Sequence, residues 1–285
     1  MSAVSPKVWF VTGAGSGIGA GVARAARKAG HRIVATGRNM GKLHDALADV
    51  AGDDLLRERL DVTSEAEAKR AVDAAVARFG PIDVLVNNAG YSLLGNFEEF
   101  TTEQMERQFA PNFWGVVHVM RAVLPIMRRQ RSGHIINISS VAGVVGQRAV
   151  AAYGASKFAV EGLSLAVAQE IEPFGIKVTV VEPGFFRTDL LNPQSVEWSS
   201  GHIEDYGPAG NIAATWAAYH GQQPDDPAAL GEALVQIADM DHPPKVFAAG
   251  SDALDAITLA VEARLEDLRA HADLSKAAGG SFVTR

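Results

Sequence analysis

A tyrosine and a lysine stand four residues apart in the segment Tyr153-x-x-x-Lys157, and a serine pair, Ser139-Ser140, precedes them. Four residues make about one helical turn, so a helix here would place the phenol and the ammonium on one face. A phenol titrates near pH ~10 and exchanges protons poorly at neutral pH. A neighbouring cation favours the phenolate, so the spacing predicts that Lys157 lowers the pKa of Tyr153 and creates a proton-transfer group.

The elements that must position this pair alternate between short β-branched runs and longer amphipathic stretches. The runs that we predict as strands, with the near-continuous apolar character of a buried parallel sheet, are Val8–Thr12, Arg32–Thr36, Leu55–Asp61, Val84–Asn87, His134–Ser139, Lys177–Glu182 and Lys245–Ala249. The predicted helices are Gly19–Ala29, Glu65–Phe79, Glu103–Arg129, Tyr153–Glu170 and Ala228–Asp239. This alternation predicts one α/β domain over residues 1–285, with a doubly wound Rossmann-type parallel sheet of about seven strands in three layers.

A glycine-dense turn follows the first predicted strand, in Gly13-Ala14-Gly15-Ser16-Gly17-Ile18-Gly19. Glycines let a backbone turn tightly and approach a pyrophosphate, which also gains from the N-terminus of the next helix. The spacing Gly-x-x-x-Gly-x-Gly differs from the Gly-x-Gly-x-x-Gly dinucleotide fingerprint. Glycine content alone is weak evidence for a nucleotide site, and the position after the first strand strengthens it.

The end of the second predicted strand bears on which dinucleotide is bound. An acidic residue there would accept hydrogen bonds from the ribose 2′-hydroxyl and select NAD. Here Gly37 leaves the space open, and the planar guanidinium of Arg38 could pair with a 2′-phosphate. This favours NADP(H), with NAD(H) as the alternative; a solvated Arg38 would leave the preference open.

Composition excludes several classes of protein. The net charge of −7 argues against a general nucleic-acid surface, and the lack of cysteine excludes disulfides, thiolate catalysis and Cys-ligated zinc. No apolar run approaches the ~20 residues of a membrane span, and the N-terminus lacks a signal peptide, so we expect a cytoplasmic protein. No His and carboxylate cluster has metal-ligand spacing, and packing or surface roles are favoured for His118 and His134.

Two regions break the alternation of strands and helices. Residues from Phe185 to about Asp226 are rich in Gly, Pro, Ser and aromatics, which predicts a long irregular substrate loop, about 185–226. The C-terminal helix predicted over Ala253–His271 carries an apolar stripe at helical spacing, made by Leu254, Ile257, Val261, Leu265 and Leu268. Core packing is the favoured interpretation of that stripe, and subunit contact is the alternative.

The chain resembles the short-chain dehydrogenase/reductase family over almost its whole length. The motifs that carry the resemblance are Thr12-Gly13-x-x-x-Gly17-Ile18-Gly19, Asn87-Asn88-Ala89-Gly90, Asn112, Ser139-Ser140, Tyr153-x-x-x-Lys157 and Pro183-Gly184. Each falls at the carboxyl end of a predicted strand or on the helix after it, where an open α/β sheet binds ligands.

The resemblance implies four catalytic residues: Asn112, Ser140, Tyr153 and Lys157. Tyr153 would exchange a proton with the carbonyl oxygen, Ser140 would hold that oxygen, and Lys157 would also bond the nicotinamide ribose. Asn112 would order a proton-returning water chain. Taken singly, these side chains could equally end a strand, fill a helix break or face solvent. The residues that the resemblance and the glycine turn place at the cofactor are Thr12, Gly13, Gly15, Ser16, Gly17, Ile18, Gly19, Gly37, Arg38, Asp61, Val62, Asn88, Ala89, Gly90, Tyr153, Lys157, Pro183, Gly184 and Thr188.

Two positions depart from the family pattern. Pro111 directly precedes Asn112, and a proline inside a helix removes a backbone hydrogen bond, so we predict a helix break around Asn112. Ser16 stands before Gly17, where many NADP-preferring relatives carry a basic residue, so Arg38 is the main argument for NADP and NAD stays open.

The predicted substrate pocket is mainly apolar, which fits a medium-sized hydrophobic ketone, aldehyde or alcohol. Its predicted lining is Tyr91, Leu93, Val145, Gln147, Val150, Phe185 and Phe186, and Leu94 and Val144 are further apolar residues expected to flank the reaction centre. Arg187 is a further polar group that could clamp an anion. The substrate loop and the C-terminal helix resemble the branch of 17β-hydroxysteroid and retinol dehydrogenases. The alternatives are an NAD-dependent alcohol dehydrogenase and a non-catalytic nucleotide-sensing protein, and family members are often homodimers or homotetramers.

Overall fold

Apolar and β-branched runs form the strands, and the central strands of the sheet are buried on both faces. The computed structural model of the chain describes residues 6–192, 195–207 and 209–279. The strands in these ranges are β1 (Val8–Val11), β2 (Arg32–Gly37), β3 (Leu55–Arg59), β4 (Val84–Asn87), β5 (Leu93–Leu94), β6 (Gly133–Ile138), β7 (Ile176–Pro183), β8 (Glu197–Trp198) and β9 (Val246–Ala249). Within the described residues, seven of them form one parallel sheet in the order β3-β2-β1-β4-β6-β7-β9. The predicted Rossmann-type sheet is confirmed.

Helices cover both faces of the sheet and make the three layers. In the part of the chain that the structure describes they are α1 (Gly17–Lys28), α2 (Met40–Ala46), α3 (Glu65–Phe79), α4 (Thr102–Phe109), α5 (Gly115–Gln130), α6 (Ala151–Ile171), α7 (Ala209–Tyr219), α8 (Pro227–Asp239), α9 (Ser251–Ala270) and α10 (Ala272–Ala278). One core joins β-strand side chains such as Trp9 to α1, α2 and α8, and the other joins side chains such as Phe10 to α3, α5 and α6. Adjacent residues of β1 thus face opposite cores, as the period of two in a strand requires.

The order of the strands creates the crevice that holds the site. The chain runs outward from β1 to β3 on one side and then returns to β4, which pairs with the other edge of β1. The carboxyl ends of β1 and β4 therefore flank a topological switch point, the place where open α/β sheets bind ligands.

The predicted helix Glu103–Arg129 is two helices joined by an irregular turn. A π-helical turn over Ala110–Trp114 separates α4 from α5 and contains Pro111. Proline cannot donate the backbone hydrogen bond of a regular helix, so its position accounts for the break. The helix break predicted around Asn112 is confirmed.

The segment 185–226 is more ordered than its composition indicates. It contains α7 and the short strand β8, which pairs in parallel with β5, and the prediction of an irregular loop was wrong for these stretches. Two residues per strand are too short for a periodicity signal, and α7 lies between glycine- and proline-rich sequences that obscure it.

The C-terminal helix forms as predicted, but its apolar stripe does not pack into the core. Ala253 is the buried residue among the described positions of α9, whereas the side chains of Leu254, Val261, Leu265 and Leu268 are exposed. The core-packing interpretation was therefore wrong for this helix. None of the helices in the described ranges is long and apolar enough to cross a membrane.

Candidate active site

A cavity of about 840 Å³ opens at the carboxyl ends of β1, β4, β6 and β7. It gathers most of the residues that the sequence predicts for cofactor, catalysis and substrate. The predicted residues that line it are Gly13, Gly15, Ser16, Gly17, Ile18, Gly37, Arg38, Asp61, Val62, Asn88, Ala89, Gly90, Tyr91, Ser140, Gln147, Val150, Tyr153, Lys157, Pro183, Gly184, Phe185, Phe186 and Thr188. Among the described residues, no group of three His or carboxylate side chains could hold a metal ion.

Tyr153 and Lys157 occupy successive turns of α6 and are both buried. The Lys157 ammonium lies 5.6 Å from the centre of the Tyr153 ring, as the four-residue spacing requires. Its Nζ donates a hydrogen bond of 2.8 Å to the backbone carbonyl of Ile138, at the end of β6. This bond ties the helix to the strand end and fixes the cation beside the phenol.

The pKa values of this pair differ from the sequence-based expectation. Burial raises the pKa of Tyr153 to about 12, although the adjacent Ser140 hydroxyl lowers it. Burial also lowers the pKa of Lys157 to about 8, and the carboxylate of Glu161 raises it. Lys157 was expected to bring the Tyr153 pKa down toward neutrality, but burial sets the direction of the shift and the group that opposes it is the Ser140 hydroxyl.

The two serines at the end of β6 have different roles. The backbone of Ser140 is extended, and its hydroxyl accepts a hydrogen bond of 3.1 Å from the Ala142 amide. This places the hydroxyl next to the Tyr153 phenol, where it affects the phenol's pKa. The Ser139 hydroxyl instead donates to the backbone carbonyl of Lys157 at 3.5 Å. The geometry supports the choice of Ser140 over Ser139.

Asn112 is buried behind the cavity wall and does not line the cavity, although the neighbouring Pro111 does. Its Oδ1 accepts from the Tyr91 amide at 3.1 Å, and its Nδ2 donates to the Tyr91 carbonyl at 3.1 Å and to the Ser156 hydroxyl at 3.2 Å. Ser156 in turn donates to the carbonyl of Tyr153 at 2.7 Å. Asn112 thus connects the loop after β4 to the helix that carries the tyrosine.

The glycine turn is held against the loop after β4. Gly13 has φ +65°, and a Cβ there would lie 2.9 Å from the Cα of Ala89, so a side chain is excluded both by conformation and by contact. The Thr12 hydroxyl accepts from the backbone amides of Asn88 and Ala89 at 2.9 and 3.1 Å. The side-chain amide of Asn88 donates hydrogen bonds through its Nδ2 to the backbone carbonyls of Thr12 and Gly13. Asn88 therefore braces the turn in addition to lining the cavity.

Two of the predicted cofactor residues, Thr12 and Gly19, do not line the cavity. Thr12 is buried beneath the turn, and a Cβ on Gly19 would collide with the Gly13 carbonyl. Their contribution is to the shape of the turn. The turn itself fits a dinucleotide, because α1 begins at Gly17 on the cavity and the Ser16 side chain does not cap the helix. Free amides at a helix N-terminus suit a pyrophosphate.

The end of β2 opens onto the same cavity. An ideal Cβ on Gly37 meets no atom within 4 Å, and Arg38 lines the cavity beside it. Burial raises the pKa of Asp61, but hydrogen bonds from Thr63 and the charge of Arg38 outweigh it and lower the pKa. Sequence reasoning missed Lys42, a second cation in this lining. Lys42 lies in the first turn of α2, a helix that was not predicted. Recognising Asn39 as the cap of that helix could have placed Lys42 near Arg38.

Residues after β7 close the site from the opposite side. The Thr188 side chain lies about 3.0 Å from the position of a Cβ on Gly17, so it covers the start of α1. Arg187 was expected as a polar group of the pocket, but its guanidinium donates to the Gln223 carbonyl at 2.8 and 3.0 Å and lies outside the lining. This bond braces the segment before α8, so the interpretation of Arg187 as an anion clamp was wrong.

The substrate side differs at two predicted positions. Leu93 is fully buried in β5, and its neighbour Leu94 lines the cavity in its place, since adjacent strand residues face opposite sides. Val145 lies in the turn before α6 and is also outside the lining. The predictions that Leu93 and Val145 line the cavity were therefore wrong. Leu94 was expected near the reaction centre, and the lining residues of this side that sequence reasoning missed are Ser92, Leu190, Leu191, Ser195, Trp216 and Gln223.

An aromatic cluster forms the outer part of the substrate side. The ring of Phe185 stacks on Tyr219 with centroids 5.4 Å apart and lies 6.2 Å from Trp216. Phe185 and Trp216 line the cavity and pack against a small apolar core that includes Leu191 and Tyr153. The cavity therefore passes from a polar, glycine-rich end to an aromatic one.

Comparisons with known proteins agree with this geometry. The family model of short chain dehydrogenases matches residues 7–197. An uncharacterised oxidoreductase of Schizosaccharomyces pombe is 34% identical over 268 residues, which cover 93% of this chain and 89% of that protein. A 3-ketodihydrosphingosine reductase of Bacteroides thetaiotaomicron is 36% identical over 245 residues, covering 85% and 87%. The crystal structure of a short-chain dehydrogenase from Streptomyces avermitilis superposes with a TM-score of 0.86 at 36% identity, covering 96% and 99%.

The range matched by the family contains the glycine turn, the serine strand end and the Tyr153-x-x-x-Lys157 segment. The relatives match over nearly their full lengths and are named as an oxidoreductase and a reductase, and solved proteins of the same fold bind NADP+ or NADH. The family resemblance of the motifs is therefore confirmed. The chain belongs to the short-chain dehydrogenase/reductase family of oxidoreductases.

Proposed function

We propose that the protein interconverts a hydrophobic ketone or aldehyde and the corresponding alcohol, with NADP(H) as the preferred cofactor. The observation that carries the proposal is that Ser140, Tyr153 and Lys157 line the same cavity as the glycine turn. A proton-transfer group and a dinucleotide cradle that share one cavity fit hydride transfer at a carbonyl carbon. Bound at the turn, the nicotinamide dinucleotide would supply or accept the hydride.

In this proposal the side chains handle the proton and the orientation of the substrate. During reduction the Tyr153 hydroxyl gives its proton to the carbonyl oxygen, and the Ser140 hydroxyl donates a hydrogen bond to the same oxygen. The burial that raises the pKa of Tyr153 to about 12 keeps the phenol in the protonated form that reduction requires. The Lys157 charge stabilises the phenolate left behind, and Asn112 keeps α6 in register with the loop that carries Tyr91.

The preference for NADP(H) is supported by the end of β2. Gly37 leaves open space where a side chain could stand, and Arg38 and Lys42 both line the cavity there. Two cations suit a 2′-phosphate, whereas an NAD site commonly places a carboxylate at this strand end. An NAD-dependent alcohol dehydrogenase is the rival proposal, because Ser16 supplies no charge in the glycine turn.

The substrate class is supported by the aromatic end of the cavity. Phe185, Leu191 and Trp216 offer apolar contact, and Gln147 is a polar group that could orient a substrate. Such a lining fits a medium-sized hydrophobic molecule. One relative is named for the reduction of a ketone, 3-ketodihydrosphingosine, and we propose the carbonyl class, not that substrate, for this chain.

Cofactor preference is tested by comparing the dissociation constants of NADPH and NADH for the wild type and for Arg38→Ala. We expect the variant to lose about tenfold in NADPH affinity, with little change for NADH, because it removes a charged hydrogen bond to the phosphate. Arg24→Ala is the matched control, since Arg24 is an exposed arginine of α1 paired with Asp49. An NADPH preference unchanged in Arg38→Ala would overturn the assignment.

Turnover is tested with a panel of hydrophobic ketones, aldehydes and alcohols while the absorbance of NADPH is followed. Cofactor binding without turnover of any of them would favour the nucleotide-sensing alternative for this chain. Three expectations stay predictions: one domain over residues 1–285, a homodimer or homotetramer, and a cytoplasmic location. The exposed stripe of α9 is consistent with a subunit contact.

A further inference from the structure

A third titratable residue continues the row of Tyr153 and Lys157 along α6. Glu161 follows Lys157 by four residues, and the three side chains are 7%, 5% and 8% exposed. Residues at this spacing share one helical face, so the phenol, the ammonium and the carboxyl form one buried column. Lysine and glutamate are rarely buried so completely unless they are paired. The proposed reaction gives roles to the first two residues and none to Glu161.

The surroundings of Glu161 leave its carboxyl poorly satisfied. Its Oε1 is buried without a hydrogen-bond partner among the described residues. A Cβ on Gly143 would lie 3.3 Å from this oxygen, so the turn after β6 packs closely over the carboxyl. The groups that face it are Ser139 at the end of β6, Glu182 on β7 and Lys157 on its own helix. Lys157 is the cation among them.

The charges of Glu161 and Lys157 depend on each other. Burial raises the pKa of Glu161 to about 7; the Ser139 hydroxyl lowers it, Glu182 raises it and Lys157 lowers it. Burial lowers the pKa of Lys157 to about 8, and Glu161 opposes this change. Without the carboxylate, the buried ammonium would retain the Ile138 carbonyl as its hydrogen-bond acceptor but would lose its anionic neighbour.

We propose that Glu161 is a positioning residue that keeps Lys157 charged beneath Tyr153 and thereby sets the alkaline limit of the reaction. The inference rests on the proposed function, in which the Lys157 ammonium stabilises the tyrosinate. As pH rises, Lys157 loses its proton and the tyrosine loses this support. The carboxylate delays that loss, because an adjacent negative charge favours the protonated ammonium.

The first test is the pH profile of kcat for ketone reduction by the wild type and by Glu161→Gln, which keeps the shape of the side chain. We expect the pH at which kcat falls on the alkaline side to be lower by about one pH unit in Glu161→Gln. At lower pH, where Lys157 is charged in both proteins, kcat should be retained. Glu161→Asp should move the alkaline limb of the profile back toward the wild-type position. Glu170→Gln, an exposed residue of the same helix, is the matched control and should leave the profile unchanged. An alkaline limb at the wild-type pH in Glu161→Gln would overturn the proposal.

The second test needs no turnover, so it separates this inference from the proposed function. A folded-state pKa above the unfolded value means that the wild type loses stability as pH rises from about 5 to about 7. Glu161→Gln lacks this titration, so its Tm in the cofactor-free protein should rise relative to the wild type over that interval. The proposal also requires coupling to Lys157, so the Tm change caused by Glu161→Gln at pH 7 should differ between the wild-type and the Lys157→Met backgrounds, and an equal change in both backgrounds would overturn the proposal. If no substrate is turned over but the Tm difference changes as expected, the proposed function fails and the Glu161 titration stands.

Discussion

Different kinds of interaction hold the two sides of the cavity in place. The catalytic wall (Ser140, Tyr153 and Lys157) is buried, and hydrogen bonds to backbone atoms of the neighbouring strand end and turn hold two of its side chains. The substrate wall (Phe185, Leu191 and Trp216) belongs to the segment after β7, and ring and apolar contacts hold it. Directional bonds fix atoms to a narrow geometry, whereas apolar packing tolerates changes of shape. In the proposed reaction, chemistry falls to the wall held by directional bonds, and selection of the substrate falls to the wall held by apolar packing.

The largest effect on cofactor binding is expected at the glycine turn, which packs against the loop after β4. Gly13→Ala should lower NADPH affinity by at least about tenfold and lower the Tm, because a left-handed φ costs ~1–2 kcal/mol for a residue with a Cβ and this Cβ also contacts Ala89. The measurements are a fluorescence titration with NADPH and thermal denaturation. The matched control is Gly30→Ala, which has φ +89° but no atom within 4 Å of its Cβ, so the Tm should fall without loss of NADPH affinity. Wild-type NADPH binding by Gly13→Ala would contradict this account of the turn.

A smaller effect is expected on the substrate wall. Trp216→Ala should raise KM for a hydrophobic ketone by about fivefold, because lost apolar contact costs ~1 kcal/mol, and should leave the dissociation constant of NADPH unchanged. Steady-state kinetics and the NADPH titration measure the two quantities. Trp216→Phe keeps an aromatic ring and should recover most of the wild-type KM. If Trp216→Ala weakened NADPH binding as much as substrate binding, the division between the walls would be lost.

The same division explains how much the sequence could predict. The strands, the helix break at Pro111 and the gathering of Ser140, Tyr153 and Lys157 follow from periodicity, proline chemistry and motif spacing. Each of these signals can be read from residues that are close together in the sequence. The substrate wall depends on a two-residue strand pair, β5 with β8, and on α7, which carries Trp216. Contacts between distant short segments leave no periodic pattern, so the sequence did not show that Leu93 faces away from the cavity while Leu94 lines it.

The pKa shifts of Tyr153 and Lys157 could also not be predicted from the spacing of the two residues. The sequence indicates that Lys157 lies near Tyr153, but the extent of burial decides the direction of the pKa shift. Burial depends on the packing of β6, β7 and the turn over Gly143, none of which is encoded in the four-residue spacing. The role of Glu161 was missed for the same reason.

The central claim is that Tyr153 transfers the proton, and Tyr153→Phe tests it most directly. The variant keeps the ring, which packs in the small apolar core, and removes only the hydroxyl. We predict that kcat for ketone reduction falls by about 10²–10⁴-fold, while the dissociation constant of NADPH and the Tm stay close to wild type. A Tyr153→Phe enzyme that reduces the same ketone at the wild-type rate would contradict the account.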